Sequence, residues 1–162
     1  MKNSPLEFLV ESNKIEGEFS INATVDAIKA WKYAMKNVGD VNIEVIREIH
    51  YNLMRRISPQ IAGKIRTVRV GIGNEEGIKE ECMKPEKIYG ALKIWCLDYN
   101  KDNDWDTIKK RHIELMRIHP FEDGNGRTGR ILMNLQRINA GMEILVIHVG
   151  EEQRRYYDWF NQ

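Results

Sequence analysis

Twelve consecutive residues, His119-Pro120-Phe121-Glu122-Asp123-Gly124-Asn125-Gly126-Arg127-Thr128-Gly129-Arg130, concentrate the chemistry of this chain. They hold one imidazole, two adjacent carboxylates, a glycine-framed polar turn and two arginines. An imidazole titrates near pH 6.5 and suits general-base work. Glycines at 124 and 126 let the backbone curl so that its N–H groups can face an anion. Arg127 and Arg130 lie three apart, so on a helix they share a face and can both grip phosphate oxygens. Asp123 is a hard oxygen donor beside that cradle, where a phosphate-bound Mg²⁺ would sit. The chemistry implied is transfer at phosphorus.

Two helices must position these groups. Trp105 to Ile118 carries apolar residues at Trp105, Ile108, Leu115, Met116 and Ile118, a helical stripe that ends at His119. Arg127 to Asn139 carries Ile131, Leu132, Leu135 and Ile138 and is closed by Gly141. The loop therefore opens the second helix. The first N–H groups of a helix have no intrahelical partners, and its dipole favours negative charge there. Taken singly, each part has a plain structural use: a histidine caps a helix, arginines line a solvated face, Gly-Asn-Gly makes a turn. Only their convergence on one anion-sized place argues for a site.

At every defined position, His119 to Arg130 matches the signature His-Pro-Phe-x-(Asp/Glu)-Gly-Asn-Gly-Arg-x-x-Arg, so the chain resembles the Fic-domain family. The Gly63-Lys64-Ile65-Arg66-Thr67 stretch fits as well, as does the tyrosine pair Tyr156-Tyr157, and the likeness covers roughly residues 40 to 160. The resemblance implies a protein adenylyltransferase that moves AMP from ATP, with Mg²⁺ or Mn²⁺, to a Ser, Thr or Tyr hydroxyl of a target protein, itself included. On that basis His119 accepts the hydroxyl proton and Asp123 holds the metal. Gly124, Asn125 and Gly126 form the anion hole, Arg127 meets the inner phosphates and Arg130 the γ-phosphate. Thr128 and Gly129 count among the nucleotide-binding positions, and Phe121 fixes the loop from the core. Tyr156 and Tyr157 match positions near the adenine in some members. The stretch 78–84 lacks the proline-rich run of many members, and the chain stops at Gln162, which touches adenine recognition rather than phosphate chemistry.

Between Gly63 and Gly77 the pattern changes. Ile65 to Gly73 alternates apolar and polar residues with β-branched enrichment, which predicts a β-hairpin or extended flap in an otherwise helical chain. The resemblance makes it the flap beside the active site, with Val70, Gly71, Ile72 and Gly73 at the site and the target held by main-chain pairing. Near the other end, Ser12-x-x-x-Glu16-Gly17 matches the inhibitory motif (Ser/Thr)-x-x-x-Glu-(Gly/Asn) of autoinhibited family members. That match implies Glu16 blocking Arg130, in an enzyme that carries its own inhibitor.

The remaining helices follow from period and caps: Pro5 to about Ile15, Thr24 to Asn37, Asn42 through Ile57 with Ser58-Pro59 as the stop, Pro85 through Tyr99, and Glu151 to Phe160. Ile144 to Ile147 is a short apolar run, expected extended. The fold expected is mainly α, a Fic-type helical domain with a short β-hairpin flap. Residues 1–20 form an inhibitory segment and residues 21–162 one domain. With 162 residues and 42% hydrophobic content, a full core can form. A net charge of +1 argues against a nucleic-acid or anionic-membrane binder. Cys82 and Cys96 read as free thiols, and no signal peptide or membrane-spanning run is visible, so a cytoplasmic protein is expected. Other functions consistent with the motif are removal of AMP with Glu16 orienting a water, transfer of another phosphate-containing group, and a non-catalytic nucleotide-binding module.

Overall fold

The computed structural model describes residues 3–74, 77–101 and 103–161. The elements in order are α1 (Pro5–Ile15), α2 (Ile21–Lys36), α3 (Ile43–Met54), β1 (Gly71–Asn74), β2 (Gly77–Glu81), α4 (Pro85–Tyr99), α5 (Trp105–Ile118), α6 (Asn125–Asn139) and α7 (Glu151–Tyr157), which runs into a 3₁₀ turn, Asp158–Asn161. The fold is mainly α, as the periodicity predicts. Side-chain caps set most of the helix starts: Ser4 accepts from Glu7 N–H, Ser20 from Ala23 N–H, Asn42 from Val45 N–H and Asp104 from Thr107 N–H. The Ser20 cap starts α2 three residues before the Thr24 expected from the apolar stripe. Helix α3 stops at Met54, short of Ile57, and turns before Pro59 is reached.

Helix α6 lies at the centre, packed on α5, α3, α2 and α1. Its Ile131, Leu132 and Leu135 join Ile46, Ile49 and Leu53 of α3, Leu92 and Trp95 of α4 and Leu115 of α5 in the main core. Phe8 and Leu9 of α1 belong to that same core, and Phe8 meets Trp31 edge-on at 5.5 Å. Ile15 enters a second cluster with Ile108, Met133, Ile147 and Tyr156. The expected inhibitory segment is thus packed into both clusters of the domain.

A correction concerns the flap. Its two antiparallel strands are Gly71–Asn74 and Gly77–Glu81, with Ile72 opposite Glu80 and Gly73 opposite Ile78, so the hairpin starts six residues after Ile65. The alternating stretch 65–70 is not a strand. Arg66, one of the polar residues of that alternation, is buried at 2% exposure and donates hydrogen bonds to backbone carbonyls. Cys82 N–H donates to Val70 C=O, carrying the pairing one step past β1. Residues 75 and 76 and the side chain of Ile72 lie outside the described residues. Ile144 to Ile147 forms no strand either. The Asn134 side-chain amide donates to Leu145 C=O at 3.0 Å and accepts from Leu145 N–H at 2.7 Å, supplying the partners a neighbouring strand would give.

Candidate active site

Helix α5 ends at His119, whose φ of 50° and ψ of 64° put it in the left-handed region. For a residue with a Cβ, that conformation costs about 1–3 kcal/mol and persists only where the surroundings enforce it. Arg66 enforces it. Its Nε donates to His119 C=O at 2.7 Å, its guanidinium also reaches the carbonyls of Ile118, Val68 and Met83, and its own N–H donates to Pro120 C=O at 2.9 Å. A cation on the last carbonyls of α5 also complements the helix dipole. One buried arginine thus ties the helix end, the loop and both ends of the flap together.

The imidazole of His119 is held by Nδ1, 3.2 Å from Met116 C=O. A neutral ring with its proton on Nδ1 donates there and leaves the Nε2 lone pair available. Burial depresses the pKa below its ordinary value and outweighs the Met116 hydrogen bond, which favours the charged form. The His119 imidazole is therefore neutral and oriented at neutral pH.

The loop that follows is fixed from below. Phe121 is fully buried and stacks on His50 of α3, ring centres 3.7 Å apart and nearly parallel. His50 Nδ1 accepts from Gly63 N–H at 2.9 Å, so Nε2 carries the proton and donates to Asp123 C=O at 2.8 Å. Its pKa is lowered to about 4, chiefly by burial, which keeps this bridge neutral. Asn125 uses its side chain on the loop: Oδ1 accepts from Phe121 N–H at 3.0 Å and Nδ2 donates to Phe121 C=O at 2.8 Å. Thr128 donates its hydroxyl to Gly124 C=O. Of the predicted nucleotide-binding positions, Asn125 and Thr128 therefore serve the loop with their side chains.

Each glycine of the loop meets a different constraint. Gly124 has φ 77°, and a Cβ there would press on Met54 Sδ at 2.8 Å. At Gly126 a Cβ would collide with the carboxylate of Glu16, which lies directly on the first turn of α6. At Gly129 it would strike Met116 and His112 where α6 packs on α5. The Glu16 carboxylate thus sits where a helix N-terminus attracts an anion. Its Oε1 also accepts from Arg130 Nη2 at 2.7 Å. Arg130 donates further from Nε to Ser12 Oγ and from Nη2 to Ser12 C=O, both at 2.9 Å. The structure therefore brings Ser12, Glu16 and Arg130 together, with Gly17 in the left-handed region just past the end of α1. Asp123 is exposed, and its Oδ1 accepts from Gly124 N–H at 2.6 Å.

Arg127 differs from Arg130. It is 3% exposed, its Nη2 touches only the sulfur of Met54 at 3.0 Å, and its Nε and Nη1 have no hydrogen-bond partner. Burial lowers its pKa despite the neighbouring Asp123 and Glu16. A buried guanidinium left this incomplete is a place for an anion.

Residues 40–136 match the model of the Fic/DOC family. The chain belongs to that family. It is 32% identical over 124 residues to a Nematostella vectensis protein named protein adenylyltransferase Fic, covering 75% of this chain and 28% of that one. A Caenorhabditis elegans protein adenylyltransferase, fic-1, is 32% identical over 128 residues, covering 75% of this chain and 24% of its own length. The chain thus spans about a quarter of the curated relatives it matches. Among solved structures, a Fic-domain signalling protein from Bacteroides thetaiotaomicron superposes with a TM-score of 0.84 at 22% identity, over 98% of this chain and 70% of that one. A C. elegans Fic-1 structure gives 0.76 at 24% identity, over 94% and 53% of the two chains. The fold is that of Fic proteins.

Three residues that hold the Fic loop escape the signature. His50 sits among the apolar positions of α3, and Arg66 sits inside an alternating stretch. His112 lies on the buried face of α5, with Nε2 2.9 Å from the Tyr156 hydroxyl. A polar residue interrupting an apolar stripe is the signal they leave. The structure buries Tyr156 behind Arg130, while Tyr157 is 45% exposed. Among the described residues no helix is long and apolar enough to cross a membrane.

Proposed function

We propose that this chain is an autoinhibited protein adenylyltransferase that transfers AMP from ATP to a Ser, Thr or Tyr hydroxyl of a protein. The observation that carries the reading is the Glu16 carboxylate resting on the first turn of α6 and on Arg130, an anion in the place a phosphate would take. The names of the curated relatives agree with it. Arg127, buried without a full set of partners, is suited to the inner phosphates, and Arg130 to the γ-phosphate once Glu16 withdraws. The target hydroxyl gives its proton to Nε2 of His119, its oxygen bonds to the α-phosphorus, and the bond to the β-phosphate oxygen breaks, releasing pyrophosphate.

The exposed Asp123 offers a single hard oxygen, and among the described residues no cluster of three metal-ligating side chains exists. That donor set fits Mg²⁺, which takes one or two carboxylates and completes its shell from phosphates and water. Bound there, the ion would neutralise charge on the phosphates. Activity in this reading is low until α1 loosens at its C-terminal end.

The test is incubation with ATP labelled at the α-phosphate, comparing wild type, Glu16→Gly and Glu16→Gly/His119→Ala. Strong labelling by Glu16→Gly alone is expected. Equal labelling by wild type and Glu16→Gly goes against inhibition, and an active double variant goes against His119 as base. Label released from a previously modified protein by wild type, and lost in Glu16→Gln, would mark the reverse reaction instead.

A further inference from the structure

We propose that Met54 is a positioning residue for Arg127, its thioether aiming the guanidinium at the inner phosphates while leaving the charge and two of the three nitrogens free for them. Met54 is the last residue of α3 and is fully buried. Its Sδ accepts from Nη2 of Arg127 at 3.0 Å. The same sulfur lies under the loop: a Cβ at Gly124 would stand 2.8 Å from Sδ and 3.1 Å from Cγ of Met54. One turn earlier on the same face of α3, His50 donates to Asp123 C=O at 2.8 Å. Helix α3 therefore seats the turn with one side chain on its backbone and another on its arginine. The helix end is itself fixed, since the N–H groups of Ile57 and Ser58 both donate to Met54 C=O.

The chemistry of sulfur suits that task. A thioether is neutral, polarisable and a weak acceptor, so it neither cancels the guanidinium charge nor satisfies its donors. Nε and Nη1 of Arg127 have no hydrogen-bond partner. A carboxylate in the place of the sulfur would make the stronger bond, as Glu16 does with Arg130 at 2.7 Å, and a phosphate would then have to displace it. A purely apolar neighbour errs the other way. The guanidinium would turn among several rotamers, and ordering it would cost affinity when the phosphates arrive. Sulfur lies between the two: it fixes the direction of one nitrogen and is too weak to compete for the others. Because Met54 belongs to α3 and the main core rather than to α1, this hold on Arg127 does not depend on the inhibitory segment.

This inference rests on the reading that Arg127 meets the inner phosphates, so the test separates the two. In the Glu16→Gly background, ATP binding with Mg²⁺ is measured by calorimetry for four proteins: the parent, Met54→Leu, Arg127→Met and the Met54→Leu/Arg127→Met double variant. Leucine has nearly the volume of methionine, so it keeps the core under Gly124 and deletes only the acceptor. Met54→Leu should weaken ATP about fivefold, the order expected for one weak hydrogen bond, and should cost less than about 1.5-fold where Arg127 is already gone. Calorimetry also reads the binding-competent fraction from the stoichiometry, so loss of folded protein is not mistaken for loss of affinity. A packing role under Gly124 would weaken ATP alike in both backgrounds. Equal losses in the two backgrounds, or none in the first, overturn the positioning role while the phosphate reading of Arg127 stands. If Arg127→Met alone leaves ATP binding unchanged, both fall.

Discussion

Arg127 and Arg130 leave the same helix three residues apart, and the protein finishes them in opposite ways. Arg130 is 1% exposed, hydrogen-bonded to Ser12 and Glu16, and lies over the Tyr156 ring. Arg127 is 3% exposed, meets one sulfur and leaves two nitrogens without partners. Folded proteins seldom bury a cation that incompletely, since the desolvation cost is not recovered. The contrast divides the site into a half that waits for an anion from outside and a half already given one by the chain. In the proposed reading, inhibition consists of completing one arginine and leaving its neighbour incomplete.

Exchanging each arginine for methionine should separate the two halves most sharply. Both variants should lose labelling activity, because in the proposed reading both guanidiniums donate hydrogen bonds to the phosphates. Their stabilities should move in opposite directions. Arg127→Met replaces an under-partnered buried charge with an apolar chain of similar length, and its Tm should stay level or rise by a few degrees. Arg130→Met strips partners from Ser12 and Glu16 and should cost about 1–3 kcal/mol. Thermal unfolding by circular dichroism decides this. If both variants lose stability equally, the distinction between the arginines is not energetic.

Opening the closed half comes next in size. Glu16→Gly removes the carboxylate from Arg130 and from the turn at Gly126, and labelling should rise about 10- to 100-fold, the population shift that one or two charge-assisted hydrogen bonds can hold. The stability lost should be smaller, about 1 kcal/mol, because the Glu16 side chain is 35% exposed and partly screened. A gain in rate without release of Arg130 would be recognised by an Arg130→Ala/Glu16→Gly protein that labels as fast as Glu16→Gly.

His119, the base of the proposed reaction, has its own signature. Burial holds His119 below its ordinary pKa, so it is neutral at pH 7 and becomes charged only at lower pH. The rate of the Glu16→Gly protein should therefore hold as pH falls through about 6.5 and decline only below it. A decline centred above 6.5 would contradict a base kept neutral by burial.

Much of this arrangement is legible in the sequence, but unevenly. Helices α5 and α6 follow from period and caps, and the twelve-residue signature locates the loop, because local spacing decides both. Glu16 and Arg130 are 114 positions apart and meet only because Phe8, Leu9 and Ile15 bury α1 in the same cores that hold α6. A motif match anticipates that pairing, yet no local rule does. His50, Arg66 and His112 are harder still, since each acts on a backbone group far along the chain: Asp123, His119 and Gly129. The flap shows the opposite failure. Its alternation suggested a strand from Ile65, but the carbonyls at the end of α5 drew Arg66 inward and pushed the pairing on to Gly71.

The smallest predicted effect concerns what keeps α1, and so the completed arginine, in place. His148 lies just before α7 with Nδ1 2.8 Å from Glu152 and Nε2 3.5 Å from Glu7 of α1, and Val149 N–H points to Glu11 of α1 at 3.5 Å. The hydrogen bond to Glu152 is the chief reason its pKa is raised, with Glu7 and Glu11 adding in the same direction and slight burial opposing. A raised folded-state pKa means that the tether contributes fully below the ordinary value of about 6.5 and is lost as pH rises through the raised value. Inhibition should therefore relax slightly between pH 6.5 and 8.5. Because these side chains are about half exposed, the effect should be under about twofold in wild-type labelling at low salt and should vanish near 0.5 M salt. Base chemistry at His119 is already complete across this range, so any slope belongs to the tether. His148→Gln should abolish the slope and raise the rate at pH 6.5 to the value seen at pH 8.5. A slope that survives in His148→Gln, or in high salt, would assign the pH response to some other contact, and α1 would then be held by its buried face alone.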